Sequence, residues 1–324
     1  MTVTVRPTYD PEIAAFLESN AGLLSSIQAA DIGPLRESVK SLERPLAEVL
    51  AGRAIDVEEH TAPGLDGAPE IALSVFRPRG NRAPTAGIYH IHGGGMICGD
   101  RYLGAEMMFL DWVDHLGTVV VSVEYRLAPE HPHPAPVQDC YAGLIWMAAN
   151  AAALSIDDRR IAIAGGSAGG GLAAGTALMA RDRGGPKLAG QLLVCPMIDD
   201  RNETVSSRQY DGVGVWDRQS NLTGWSALLG ASRGTAGVSC YAAPARAADL
   251  SGLPPTYIDA GSAEVFRDED VAYASRIWEA GGNAELHIWP GACHGFDGLL
   301  PQAAISKAAV DTRNKWLRRT LGLQ

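Results

Sequence analysis

Arg160-Ile161-Ala162-Ile163-Ala164-Gly165-Gly166-Ser167-Ala168-Gly169-Gly170-Gly171 is the stretch whose reading decides the fold. It starts as a short apolar run, turns on glycines around one serine, and leads into the Ala-rich, proline-free run Leu172 to Ala180. That is strand, sharp turn, helix. The pattern at the turn is Gly-x-Ser-x-Gly, carried by Gly165, Ser167 and Gly169. A serine in so tight a turn sits in a strained backbone conformation, and bulky neighbours would clash there. Its hydroxyl is pushed out of the sheet beside the first free N–H groups of a helix, which can stabilise an oxyanion. Ser167 is therefore the candidate nucleophile, and the N–H of Ala168 is a candidate oxyanion donor.

A second motif lies upstream. His92-Gly93-Gly94-Gly95 follows the apolar run Ala86 to Ile91. Three glycines after a strand let backbone N–H groups turn toward a ligand without side chains in the way. Alone this is a plain Gly-rich turn. Upstream of a serine elbow it supplies the other half of an oxyanion hole, through Gly94 and Gly95. The third piece is His294, in Gly291-Ala292-Cys293-His294-Gly295-Phe296, after the apolar run Ala284 to Trp289. A histidine on a loop after the last strand is placed to act as general base, and the order is Ser, acid, His. The other histidines read as structural or solvated. His131 and His133 sit in a Pro-rich turn, His287 in a strand, and His60 and His115 at the surface. His90 and His92 flank the Gly-rich turn and are expected to hold it by hydrogen bonds.

Taken together these motifs resemble the hormone-sensitive-lipase branch of the α/β-hydrolases, the bacterial serine carboxylesterases with an HGGG motif. The matching residues are His92 to Gly95, the elbow at Ser167, Tyr125 to Pro132 with Pro134-Ala135-Pro136, Arg267-Asp268, and His294-Gly295-Phe296. The resemblance runs from about residue 70 to the end. It implies an α/β-hydrolase fold, hydrolysis of short-chain acyl esters without metal or organic cofactor, and a helical cap over the site. Related enzymes often pair along the sheet edge near the strand before the catalytic His, so it also implies a homodimer. The chain departs from the family pattern twice. Gly166 stands where the elbow usually carries Asp. Near the acid the usual Asp-Pro-Leu-Arg-Asp is here Glu264-Val265-Phe266-Arg267-Asp268, so the triad acid falls on Glu264. Glutamate serves as triad acid in this fold. The competitors are Asp259, within the strand Pro255 to Ala260, and Asp268, which as a helix cap would be structural.

The rest of the chain agrees with this reading. Its 324 residues suit one α/β domain with insertions, and 46% hydrophobic residues permit a large core. A net charge of −10 argues against nucleic acid and anionic membrane partners. No apolar run is long enough to span a membrane, and Met1 to Asp10 carries no apolar signal core. The five cysteines, at irregular spacing, read as buried reduced thiols of a cytoplasmic protein.

Predicted strands are Ile71–Pro78, Ala86–His92, Thr118–Tyr125, Arg160–Ala164, Gly190–Cys195, Pro255–Ala260 and Ala284–Trp289. Predicted helices are Tyr102–Leu116, Pro136–Ala151, Ala168–Arg183, Asp268–Ala280 and Ala303–Leu321. The alternation means a mostly parallel sheet with helices on both faces, the first strand adding antiparallel at an edge. Two segments fall outside it: residues 1–50, helical around Pro11–Ser19 and Pro34–Leu50, and about 201–234, inside the catalytic domain of 51–324. By resemblance both are cap. The second carries Tyr210, Trp216 and Trp225, candidates to border the substrate with Met96 and Ile97 beside the oxyanion turn; the two tryptophans read equally as packing. In the proline-dense loop, Arg126 and Glu130 are expected to pair. Two other functions remain open: an amidase or lactonase on the same residues, and a binding module on a dead hydrolase scaffold, which the intact Ser167 and His294 disfavour.

Overall fold

The computed structural model describes residues 5–21, 26–42, 44–81 and 83–323. After the helices α1 (Pro11–Ser19), α2 (Ile32–Leu42) and α3 (Leu46–Val49) the chain makes β1 (Ile55–Ala62), β2 (Ile71–Pro78) and β3 (Thr85–Ile91). A π-helical turn, Ala105–Phe109, runs into α4 (Leu110–Leu116) and then β4 (Val119–Val123). Next come α5 (Ala135–Ala149), β5 (Ile156–Gly166), α6 (Ala168–Asp182) and β6 (Gly190–Val194). The helices α7 (Val205–Gln209) and α8 (Arg218–Leu229) intervene before β7 (Thr256–Gly261), α9 (Arg267–Glu279), β8 (Ala284–Trp289), α10 (Phe296–Leu299) and α11 (Ala304–Leu321).

The eight strands form one sheet in the order β1-β2-β4-β3-β5-β6-β7-β8. From β4 to β8 every neighbouring pair is parallel, while β1–β2 and β2–β4 are antiparallel. Strand alternation explains the two-sided core. In β5, Ile161 and Ile163 join the cluster that holds Leu172 and Leu178 of α6, while Ala162 and Ala164 join the cluster with Trp112 of α4 and Trp316 of α11. Both faces are covered, so the central strands carry apolar residues at nearly every position. Each large aliphatic side chain buried this way contributes roughly 1.5–3 kcal/mol. Among the described residues no helix is long and apolar enough to cross a membrane.

The mostly parallel α/β architecture is the expected one, with local corrections. β1 escapes the sequence pattern because Asp56, Glu58, Glu59 and His60 make it polar; it is an edge strand whose only fully buried residues are Ile55 and Ala62. It takes the edge place predicted for β2, which stands second. Cross-strand contacts such as Arg77 to Glu58 (2.9 Å) tie the two together. The helix predicted from Tyr102 starts only at Ala105, because Gly104 sits at φ +90°. The helix predicted over Pro34–Leu50 is two: α2 ends at Leu42, and Pro45, which has no N–H to give, caps α3.

The two segments outside the alternation lie against each other. Asp217 caps α8 by accepting from the Ser220 N–H (2.8 Å), and it also accepts from the hydroxyl of Ser26 (2.5 Å). The Ile27 N–H donates to the Ser220 hydroxyl (2.9 Å), and the Tyr210 hydroxyl donates to the Pro7 carbonyl (3.1 Å).

Candidate active site

The elbow is built by close backbone approach. Ser167 ends the turn between β5 and α6 at φ +56°, ψ −124°. A Cβ on Gly165 would fall 2.3 Å from the Gly169 carbonyl oxygen, and one on Gly169 would fall 2.1 Å from the Ile91 carbonyl oxygen. Only hydrogen fits at either place, and this is the physical content of the Gly-x-Ser-x-Gly spacing. The Ser167 N–H donates to the Val194 carbonyl (2.8 Å), and its carbonyl accepts from Gly171 and Met197. The backbone is thereby fixed independently of the hydroxyl.

His294 and Glu264 reach the serine from the ends of the next strands. Ser262 donates to the Trp289 carbonyl (2.8 Å) and Ala263 to the Ala292 carbonyl (3.0 Å), so the loops after β7 and β8 are stitched together. Glu264 Oε1 accepts from the Gly261 N–H (2.6 Å), and Oε2 lies 2.7 Å from His294 Nδ1. His294 Nε2 lies 3.0 Å from Ser167 Oγ. The Phe266 ring stands edge-on to the imidazole at 5.1 Å. Glu264 is 3% exposed and His294 9%, so the acid is shielded while the imidazole keeps one open side. With Nδ1–H given to Glu264, Nε2 is free to accept the serine proton.

Neither competing acid joins this chain. Asp259 points to the opposite face of the sheet, where it accepts from Arg313 of α11 (2.8 Å) and from Trp289 Nε1 (3.0 Å). Asp268 does not cap α9, whose N-cap is Phe266; its carboxylate accepts from the Ser206 N–H (2.7 Å) at the start of α7.

The Gly-rich turn sits over the elbow. Gly94 and Gly95 have φ of +100° and +62°, and Met96 follows at +64°. Among the described residues the N–H groups of Gly94 and Gly95 meet no backbone acceptor, and that of Ala168 is the first of α6, without an intrahelical partner. The Trp216 ring closes on this turn: a Cβ on Gly95 would stand 2.4 Å from its Cη2. Tyr210 packs against Tyr9, Trp225 has no exposed surface, and Met96 and Ile97 are likewise fully buried in the main core.

Several supports escaped the sequence reading. The Tyr125 hydroxyl donates to the His92 carbonyl (3.0 Å), and Tyr125 stacks on His92 at 4.1 Å. Arg36 of α2 donates to the Ile97 carbonyl (2.7 Å) and the Ala128 carbonyl (2.8 Å) and grips both oxygens of Glu130. Arg126 does not pair with Glu130; it makes a bidentate pair with the buried Asp139 of α5, at 2.8 Å on both arms. Of the two histidines beside the turn, His92 bonds the Gly93 carbonyl (2.8 Å) while His90 turns away to Ser122 (2.9 Å).

The thiols beside the site are not poised for chemistry. Burial pushes Cys293 up to about 12 and Cys98 up to about 11, and Cys240 is the one half-buried cysteine. Cys195, Glu264 and His294 offer ligand atoms within 4.8 Å of one another, a set a soft cation could use, but Glu264 and His294 are already engaged with each other.

Burial also holds His92 down to about 4 and His90 down to about 3, against an ordinary 6.5. The unfolded chain then takes up these protons first as pH falls. Both histidines withdraw stability between about pH 6.5 and their folded values and withdraw no more below them. In urea unfolding, the advantage of the wild type over His92→Asn should therefore shrink between about pH 7.5 and pH 5. An advantage independent of pH would mean that the folded protein carries a charged His92.

Comparison with known proteins bears on this arrangement. A family model described as alpha/beta hydrolase fold matches residues 88–298. Carboxylesterase NlhH of Mycobacterium tuberculosis (strain ATCC 25618 / H37Rv) is 34% identical over 302 residues, covering 90% of this chain and 89% of the relative. Esterase LipI of the same strain is 31% identical over 322 residues, covering 98% and 95%. Among solved structures, a bacterial heroin esterase superposes with a TM-score of 0.89 at 40% identity, over 97% of this chain and 98% of that one.

Proposed function

The chain belongs to the α/β-hydrolase family, on its hormone-sensitive-lipase-like carboxylesterase branch, and on that premise we propose that it hydrolyses short-chain acyl esters through a Ser167–His294–Glu264 triad. It is a carboxylic ester hydrolase; the triad, the acyl-enzyme and the chain-length preference are our reading. The observation that carries it is the unbroken line from Glu264 to His294 at 2.7 Å and from His294 to Ser167 at 3.0 Å.

In the first step Ser167 Oγ attacks the ester carbonyl carbon as His294 Nε2 takes the hydroxyl proton. Glu264 holds the imidazole in the required tautomer and stabilises the imidazolium. Charge on the former carbonyl oxygen is met by the N–H groups of Gly94, Gly95 and Ala168. Collapse of the intermediate breaks the bond to the alcohol, which leaves with the proton from His294. Water then attacks the acyl-enzyme by the same route and releases the acid and free Ser167. The test is labelling with a fluorophosphonate followed by peptide mass analysis, alongside turnover of an ester and its matched amide. Label on Ser167 with faster ester turnover is the expected result. An unlabelled Ser167 in an active enzyme would remove the proposal, and a faster amide would make the chain an amidase.

We also read the segments at 1–50 and 201–234 as a cap, with Trp216 as its contact with the acyl group. The Trp216 ring lies against Gly95 of the oxyanion turn. Trp216→Ala should change the ratio of kcat/KM for a hexanoyl over an acetyl ester by about tenfold or more, since lost contact in an apolar pocket is worth roughly 1–3 kcal/mol. A ratio unchanged within about twofold would make Trp216 a packing residue.

A further inference from the structure

The π-helical turn Ala105–Phe109 has no part in the scheme above, yet it reaches both the residue before Ser167 and the helix after His294. Turns of this kind are rare and recur at functional sites. The Met108 methyl carbon lies 3.2 Å from where a Cβ on Gly166 would stand, directly before Ser167. Met107 Sδ lies 2.5 Å from where a Cβ on Gly298 would stand, in α10, the helix that follows His294. Gly166, Ser167 and Met108 are each only half buried, as residues around an open pocket would be.

We propose that Met108 is the residue that sets specificity for the alcohol portion of the ester, forming with Gly166 an apolar pocket that takes unbranched alkyl or aryl alcohols and resists branching at the carbinol carbon. The inference rests on reading Ser167 as nucleophile and His294 as the acid that protonates the leaving alcohol. The alcohol must then lie on the His294 side of Ser167, and that side is walled by the Met107–Met108 turn. Trp216 stands elsewhere, on Gly95 at the oxyanion turn, where the carbonyl oxygen belongs. The position before the nucleophile carries no side chain, so nothing polar faces the alcohol from there, and the Met108 methyl fills the space. A thioether on three rotatable bonds suits such a wall, because it is polarisable and yields to shape. The turn also has room behind it, in a cleft of about 780 Å³ lined by Val39, Leu42, Leu46, Leu103 and Met107.

The test compares kcat/KM for 1-phenylethyl acetate and benzyl acetate, which differ by one methyl at the carbinol carbon. In Met108→Ala the branched-to-unbranched ratio should rise by about tenfold or more. In Met108→Leu, of similar volume, it should stay within about threefold of wild type. Gly166→Ala pushes on the same methyl from the other side and should lower it. Gly166 has no positive φ, so alanine is conformationally allowed there. The hexanoyl-to-acetyl ratio of p-nitrophenyl esters should stay within about twofold in Met108→Ala. If Met108→Ala does not fold by circular dichroism, Gly166→Ala decides. The proposal is overturned if the folded variants leave the alcohol ratio within about twofold, or if the acyl ratio moves instead. Fluorophosphonate labelling of each variant separates this failure from the other: full label on Ser167 with unmoved ratios removes only the role of Met108, whereas no label in the wild type removes the nucleophile.

Discussion

Replacing Ser167 by alanine should lower kcat for ester hydrolysis by about 10⁴-fold or more, with the fold unchanged. The size follows from the division of labour at the elbow. In the proposed mechanism Ser167 Oγ is the atom that forms the new bond, and its one hydrogen-bond partner among the described residues is His294. Without it His294 has no serine proton to take and Glu264 no imidazolium to stabilise, and members of such a unit lose their effect together. The fold should be indifferent because the backbone bonds to Val194, Gly171 and Met197 do not involve the hydroxyl. The strained φ is already present in the wild type and costs alanine about as much as serine. Initial rates on p-nitrophenyl acetate, with circular dichroism and urea unfolding on the same preparations, measure both halves. A variant that kept a tenth of the activity would move the nucleophile elsewhere.

The parts of the site that could be read from the sequence are those made by local backbone. The elbow and the Gly-rich turn announce themselves because two chain segments touch where only hydrogen fits, and glycine is the residue that allows it. The alternation of apolar runs and helical patterns likewise follows from burial on both faces of a parallel sheet. What escaped was set by distance along the chain. Arg36 grips the Ile97 carbonyl from 61 residues away, and Asp139, not the nearby Glu130, holds Arg126. No local pattern encodes which of two carboxylates a guanidinium will reach. β1 was hidden because it buries only Ile55 and Ala62 at its ends and is mostly polar between them. The sequence could also have weakened Asp259 as a competitor to Glu264: strand alternation puts it on the same face as Tyr257, which packs with α11, and on the opposite face from Ile258.

That alternation leads to a paired result. Glu264→Gln should cut kcat by roughly 10³–10⁴-fold, because a neutral amide neither enforces the tautomer nor stabilises the imidazolium. It should cost little stability, since the amide oxygen can still accept from the Gly261 N–H. Asp259→Asn should do the reverse. Asp259 has no exposed surface and faces Arg313, which is 4% exposed and also bonds Asp297. Arg313 would keep Asp297 but lose a buried charge-assisted partner, a loss worth roughly 1.5–3 kcal/mol. Its carboxylate is on the far side of the sheet from His294, so each folded molecule should turn over within a few-fold of the wild-type rate. Rates divided by the folded fraction from urea unfolding keep the two effects apart, and the fluorophosphonate reports the fraction of competent sites. If Asp259→Asn, corrected in this way, proved the more damaging to kcat, the carboxylate that serves His294 would have to be Asp259. The 2.7 Å contact with Glu264 would then belong to a resting arrangement that turnover abandons.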